Sequence, residues 1–594
     1  MTATDLPKGL AANGPYGQTD TAVDALEEVV FGSHGDIHAH VWGVLADHPG
    51  PLRSDLTYTE QSDSASALLR FVIESLGRPA REIAADTHLR GALIDWAAVA
   101  SPQSLLMLIG HLDLSIGAIL TLGNGSEYQQ RCLASLDTGA AVGVPMLTEL
   151  GGANGADQQT TATWDPAANG FWLTSPTPGS IKMMADVADV DTPKTVVVTA
   201  LVLVNGRDEG VFPFLLELCT WKGMTRGVNL VRLPERLGAL RDRTMIRFDR
   251  VWLPREALLG GDWARIDDHG RFECALPQRK RFHRAIGIRG NGRLDLANAS
   301  VAMARAGLVG LVDYSRRRQP GAEVLVAERD AVQRDLITGL AAVYAIGALG
   351  RRLREACDTF AGPADPQQAL WLMLAKPLLS YTAHQVLVMC RHHAAAQGSV
   401  LINHLVDWIA TTTAIITAEG ENQIMQTAAG KLVADLGLPQ LSDPPISLPW
   451  YGQMLIERER IIADGLNTKD YGSAGVARGP DAAAIELATA TAERLAMTAL
   501  FIDALHCPDP LARPLLVTVA AAYALDRIHA RGTWYAEHAL LPADHGVRIT
   551  AELRLHHAVL AENLSRMVAA FDTPAVPGPI LAEDYIQAWL DHSS

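Results

Sequence analysis

Thr148-Glu149-Leu150-Gly151-Gly152-Ala153-Asn154-Gly155 is followed closely by Thr160-Thr161-Ala162-Thr163-Trp164-Asp165. The period of the apolar residues changes around this stretch. Before it, from about Asp24 to Ala140, they recur three and four apart, as in Ala67, Leu68, Phe71, Val72 and Leu76, which predicts helices. From Val142 onward, segments 171–173, 195–204 and 244–253 are β-branched, partly alternating and punctuated by glycine, proline and asparagine, which predicts strands. Asn205-Gly206 predicts a chain reversal between two of them. Helical spacing returns at Leu294 and holds to about Leu436. Pro439, Pro444, Pro445 and Pro449 then predict an extended connection, followed by alanine- and leucine-rich helices. The partition is a flexible N-terminus 1–23, an N-terminal helical domain 24–140, a β domain 141–265, a second helical domain 275–436, a Pro/Gly-rich linker 437–480 and a C-terminal helical domain 481–594. The fold class is mainly α with a central β domain. Gly287, Gly290 and Gly292 have neither the spacing nor the preceding strand of a dinucleotide fingerprint and read as a loop.

The 594 residues are 48% hydrophobic and 20% charged, enough apolar material for several packed cores, which excludes a single small binding module. A formal net charge of -16 argues against nucleic acid or an anionic membrane surface as a partner. Cys132, Cys219, Cys274, Cys357, Cys390 and Cys507 are scattered singly, as reduced thiols are, and not as a disulfide framework or zinc site. The pairs His38/His40, His392/His393 and His556/His557 lack a completing carboxylate at a known spacing, so no metal is expected. Residues 1–20 carry no recognisable secretion or transit signal, and the C-terminal residues are not of the S-K-L type. The most apolar stretch, 369–389, is interrupted by Lys376, Pro377 and His384, so no membrane span is expected. These readings make the cytoplasm the expected location.

The most suggestive segment for chemistry is Thr417-Ala418-Glu419-Gly420-Glu421-Asn422-Gln423-Ile424-Met425. Either glutamate can simply complement the positive end of the helix that follows. The alternative is a general base held on a turn, where Gly420 permits unusual backbone angles and close approach by a ligand and 411–417 supply an apolar wall.

Taken together, these segments resemble the acyl-CoA oxidase and acyl-CoA dehydrogenase family. The oxidase branch carries T-E-L-G-H-G-S-N and T-T-A-T-Y-D, of which this chain keeps Thr148–Gly151 and Thr160–Thr163 while losing the histidine and at least one residue after it. Ser175–Lys182 is similar to its S-P-T-x-x-x-I-K, Phe248–Arg255 to its F-D-x-V-x-V-P-R, and Arg316-Arg317-Arg318-Gln319 to its R-R-Q-F-G. Ala395-Ala396-Gln397-Gly398 to Asn403 and Thr417 to Asn422 resemble G-G-x-G-Y…N and T-F-E-G-D-N. The resemblance spans about residues 30–440 in collinear order. It implies the acyl-CoA dehydrogenase-like fold, a helical, a β and a helical domain, with the oxidase branch's C-terminal helical domain added. It also implies FAD and the 2,3-dehydrogenation of an acyl thioester. The matching base is Glu419, whose own N–H would help stabilise the thioester oxygen while flavin N5 takes the β-hydride. Gly420 falls in the substrate segment. Thr148 and Gly151 match flavin-side positions, and Gly398 and Asn422 match positions near the ADP portion. Arg317 and Gln319 match the loop that crosses a dimer interface to the partner's FAD. The implied partners are an acyl-CoA or acyl-carrier-protein thioester and O2 or an electron-transferring flavoprotein, in a homodimer.

Several positions depart from the pattern. K-W-W-P-G-G is replaced by Lys182-Met183-Met184-Ala185-Asp186-Val187, the phenylalanine before the base by Ala418, and that of R-R-Q-F-G by Pro320. Smaller residues at such places imply a roomier pocket, for a substrate other than a straight fatty chain. They also keep two alternatives open: flavin-dependent oxygenation of a thioester, and a non-catalytic family member. Arg279, Lys280, Arg281 and Arg284 either meet carrier phosphates or form a solvated loop.

Overall fold

A computed structural model describes residues 20–48, 58–152, 155–234, 243–287, 290–321, 323–357, 365–441, 446–541, 545–574 and 576–592. The chain divides into two compact units: a sheet unit of His40–Asp295 with Thr359–Ala369, and a helical unit of Met1–Ala39, Leu296–Asp358 and Leu370–Ser594.

In the sheet unit, Asp86 and Ser126 start the helices Thr87–Ala100 and Glu127–Asp137 by accepting from the N–H groups of Leu89 and Gln129. Between them lies a π-helical segment, Gly110–Ile116. The wider turn brings His111 and Asp113 into the core. His111 Nδ1 accepts the Gly143 N–H at 3.0 Å and its Nε2 donates to Leu136 O at 3.1 Å, so the buried ring is neutral, and burial pulls its pKa down to about 4. Asp113 and Asp295 flank Arg90 at 2.8 and 2.7 Å, all three side chains fully buried.

The strands are β1 (Val142–Met146), β2 (Thr161–Asp165), β3 (Gly170–Thr174), β4 (Lys182–Asp186), β5 (Lys194–Val204), β6 (Arg207–Thr220), β7 (Gly223–Met224), β8 (Val228–Arg232), β9 (Arg243–Phe248) and β10 (Val251–Pro254). The main sheet runs β10-β3-β2-β5-β6-β7, with β1 parallel to the first half of β5; β4-β9-β8 form a second sheet. Asn205 and Gly206 have φ of 51° and 75° and place Val204 opposite Arg207, the two-residue turn with both φ positive that Asn-Gly favours.

The helical unit is built round Pro480–His506, a helix buried over most of its circumference. Gly430 of Asn422–Leu436 packs against the Ala484 backbone with no room for a Cβ.

Several expectations need correction. Within the supposed linker 437–480, Trp450–Thr468 is a helix that buries Tyr451, Leu455 and Ile462; Pro449 opens it instead of breaking it. Gly290 and Gly292 lie in the helix Gly290–Ser315, where side chains from Ile109 and Leu114 close over Gly292. The basic cluster belongs to a helix, Gln278–Ile286, in which Arg281 donates to Leu276 O and to Glu209. The short strands Ala264–Ile266 and Phe272–Cys274 pair across residue 265. Pro102–Leu122, Gly290–Ser315 and Asp330–Ala356 have the length and composition of membrane spans, contrary to the expectation of none. Their most apolar windows are 72%, 94% and 83% buried inside the protein, so that character serves packing. Residues 1–19, Ala153, Asn154, Pro444 and Pro445 lie outside the described residues.

Candidate active site

In the sheet unit, one buried carboxylate joins three of the sequence motifs. Glu149 Oε1 accepts from Thr160 N–H (2.9 Å), Thr160 Oγ1 (2.6 Å) and Lys182 Nζ (3.2 Å), and its Oε2 accepts from Gln159 N–H (2.9 Å). Lys182 also donates to Gln158 Oε1 at 2.9 Å and Leu147 O at 3.2 Å. The backbone completes the junction: Leu150 N–H donates to Ile181 O, Gly151 N–H to Gly179 O and Met183 N–H to Thr148 O. Burial, the largest influence, pushes the Glu149 carboxyl up, but the Lys182 ammonium and the Thr160 and Gln159 donors outweigh it and hold it below the usual carboxylate range. Burial brings Lys182 down to about 8 against the opposing pull of Glu149.

This junction leaves Thr148 and Gly151 exposed, with Gly152 at φ 64° beside them. Gly151 packs against the Gly179 backbone, where a Cβ would lie 3.1 Å from Gly179 Cα. An apolar recess lined by Leu114, Pro145, Met146, Leu147 and Val197 adjoins Thr148 in sequence. The exposed Thr148 side chain and the exposed Gly151-Gly152 backbone are chemically compatible with the polar edge of a flavin.

In the helical unit, the helix Leu405–Thr417 stops at Ala418, and the helix Asn422–Leu436 begins four residues later. Between them Glu419 has φ 56° and Gly420 φ 112°, both in the region that favours glycine. The two readings of the glutamates separate here. Glu421 is the N-cap, accepting from Gln423 N–H and Ile424 N–H at 3.1 Å each, and Glu419 is not. Lys376, fully buried, donates to Ala418 O and Gly420 O at 2.8 Å each and to Ile416 O at 3.4 Å. Asn422 is buried and donates to Ser380 Oγ at 3.0 Å, and Ser380 donates to Lys376 O at 2.8 Å. Of the expected wall, Thr411, Thr412 and Ile415 are buried in the core.

The remaining positions lie elsewhere in the helical unit. Gly398 is buried in a short 3-10 turn where a Cβ would come within 2.5 Å of Arg391 O, which by itself requires glycine. The C-terminal segment docks nearby: Ile580 N–H donates to Asn403 Oδ1 at 3.1 Å and Trp589 Nε1 to Gln397 Oε1 at 2.6 Å. Arg317 donates to Ala582 O, to Glu583 O (2.6 Å) and to Asp313 (2.6 Å); Gln319 is exposed. The structure thus groups Glu419, Gly420 and Asn422 in one turn, and Thr148 with Gly151 in another. Glu149, Lys182 and Lys376 escaped the sequence reading of the site. Glu149 and Lys182 stood inside quoted motifs, whereas Lys376 registered only as an interruption of an apolar stretch.

No protein-family profile matches the chain. It is 26% identical to the peroxisomal acyl-coenzyme A oxidase 2 of Arabidopsis thaliana, over 86% of this chain and 82% of that protein. It superposes on the crystal structure of acyl-CoA oxidase-2 from Caenorhabditis elegans, bound with FAD, ascaroside-CoA and ATP, with a TM-score of 0.81 and 15% identity, covering 100% of this chain and 95% of that one. The chain has the acyl-CoA oxidase fold. It is a distant relative of these oxidases over most of its length. The human peroxisomal acyl-coenzyme A oxidase 3 is 25% identical over 57% of this chain and 53% of its own length. These relatives correct the expected location: they are named as peroxisomal, so the cytoplasmic reading, which rested on the lack of an S-K-L ending, does not stand.

Proposed function

We propose that the chain oxidises an acyl-CoA thioester between Cα and Cβ, with bound FAD and with O2 as final acceptor. What supports this most is the turn at Glu419: a carboxylate on left-handed backbone, relieved of helix capping by Glu421 and followed by a glycine. In this reading the Glu419 carboxylate removes the α-proton. Charge then develops on the thioester oxygen and needs a fixed donor. The Glu419 peptide N–H is that donor, and Gly420 leaves room for the thioester. FAD, when bound, supplies the acceptor for the β-hydrogen. The residues proposed to contact it are Thr148, Gly151, Gly398 and Asn422. Arg317 and Gln319 are assigned to the FAD of a second subunit in a homodimer, and the helices from residue 481 to the oxidase-type C-terminal domain. A second reading, flavin-dependent hydroxylation or epoxidation of a thioester substrate, draws on β4, where Met184 bulges at φ 70° and Asp186 pairs with Arg243 at 3.0 Å in place of K-W-W-P-G-G.

The test is the visible spectrum of the purified protein before and after anaerobic addition of straight, branched and ring-bearing acyl-CoA thioesters. Wild type should bleach, and Glu419→Gln should bleach slower by a factor of about 10³. In air, one peroxide per enoyl product supports O2 as acceptor, and labelled oxygen in the product would move the second reading ahead. A protein that takes up no flavin overturns the proposal, and bleaching by straight chains alone overturns the roomier pocket.

A further inference from the structure

We propose that Lys376 is a positioning residue for Glu419, an inference that rests on the reading of Glu419 as the base. Its ammonium lies where three carbonyls converge. Ile416 O belongs to the last turn of Leu405–Thr417, where carbonyls lack intrahelical donors and carry the negative end of the helix dipole. Ala418 O and Gly420 O bracket Glu419. A peptide unit is planar and trans, so Ala418 C=O and Glu419 N–H are opposite ends of one rigid group. Lys376, by drawing the carbonyl into the core, aims the N–H the other way. The same hydrogen bond polarises the peptide, which strengthens its N–H as a donor.

Left-handed backbone at Glu419 persists only where its surroundings over-determine it. Lys376 meets that condition, gripping the turn on both sides. The Ser380 hydroxyl in turn links Lys376 O to Asn422, the first residue of the next helix, so one buried chain of hydrogen bonds fixes both ends of the turn. The effect of Lys376 is on where the Glu419 carboxylate and N–H stand.

The test uses the full-length flavoprotein and an acyl-CoA whose Cβ is replaced by sulfur, so that α-protons can be removed but no hydride can leave. Exchange of those protons with D2O reads the base step alone. Lys376→Met should slow exchange about 100-fold, the size of losing one oxyanion donor, with flavin content and analogue Kd within threefold of wild type. Lys376→Arg keeps the charge, but its planar fork cannot converge on the same carbonyls; exchange should fall about 10-fold at an unchanged melting temperature. Wild-type exchange in a folded Lys376→Met or in Lys376→Arg overturns the proposal, and Lys376→Arg alone decides if the methionine variant does not fold. Wild-type protein that neither exchanges nor bleaches overturns the base assignment and the positioning role with it. A competent wild type with indifferent Lys376 variants overturns the positioning role only.

Discussion

Glu149 and Lys182 are both below 5% exposed, so neither can lose its partner cheaply. Lys182→Met would strand the carboxylate and should cost about 3–5 kcal/mol, read as a lowered melting temperature; adding Glu149→Gln should restore most of it. The pH dependence has a definite sign. The Glu149 carboxyl sits below its unfolded value of about 4.3, so its contribution is fully present above that pH and is lost as pH falls through the folded value. Of this junction, Thr148 and Gly151 were legible as a motif, but the tie between motifs was not. Glu149 and Lys182 stand 33 residues apart in sequence and meet only because an antiparallel bridge pairs them. Spacing along the chain carries no trace of such a meeting. Similarly, composition could not separate Glu419 from Glu421; the backbone φ and the two N–H donors to Glu421 do.

The π-helical segment Gly110–Ile116 makes His111 a sensor of acid. Its folded pKa of about 4 lies below the unfolded value of about 6.5, so the unfolded chain binds more protons in between and stability falls as pH drops through that window. The full effect is on the order of 3 kcal/mol. His111→Gln can keep a donor and an acceptor without titrating, so its melting temperature should fall less steeply between pH 6.5 and 4 than that of wild type. At the crossing of Asn422–Leu436 with Pro480–His506, Gly430→Ala should destabilise by about 1–3 kcal/mol through overpacking, measured by thermal melting. Elements with strong local signals were legible, such as the Asn205-Gly206 hairpin and the long apolar-periodic helices. The helix Trp450–Thr468 was not, because prolines crowd the approach to it and mask the buried periodicity of Tyr451, Leu455 and Ile462. The π turn has no sequence signature and is recognised only from its hydrogen bonds.

At the level of the whole molecule, the assignment of Arg317 and Gln319 to a neighbour's cofactor requires a dimer. Light scattering should give twice 63.7 kDa for the flavin-bound protein, and a flavin-replete monomer would remove that role from both residues. Within one chain the Arg317 guanidinium already has three acceptors, Ala582 O, Glu583 O and Asp313, so its availability to a neighbour depends on how the C-terminal segment lies. That segment belongs to a unit assembled from sequence-distant pieces. Asp20, the first described residue, pairs with Arg566 at 2.9 Å, whereas His40–Asp295 forms nearly all of the other unit. A ribosome therefore delivers the sheet unit almost whole while the opening helix, already synthesised, still lacks its neighbours. The helix His545–Ala569, which packs on Thr21–Phe31, starts 250 residues after Asp295, a wait of roughly 10 to 50 s at common translation speeds. During that interval the apolar face of Thr21–Phe31, with Val23, Leu26, Val30 and Phe31, lacks the later helices of its own unit that bury it in the finished fold.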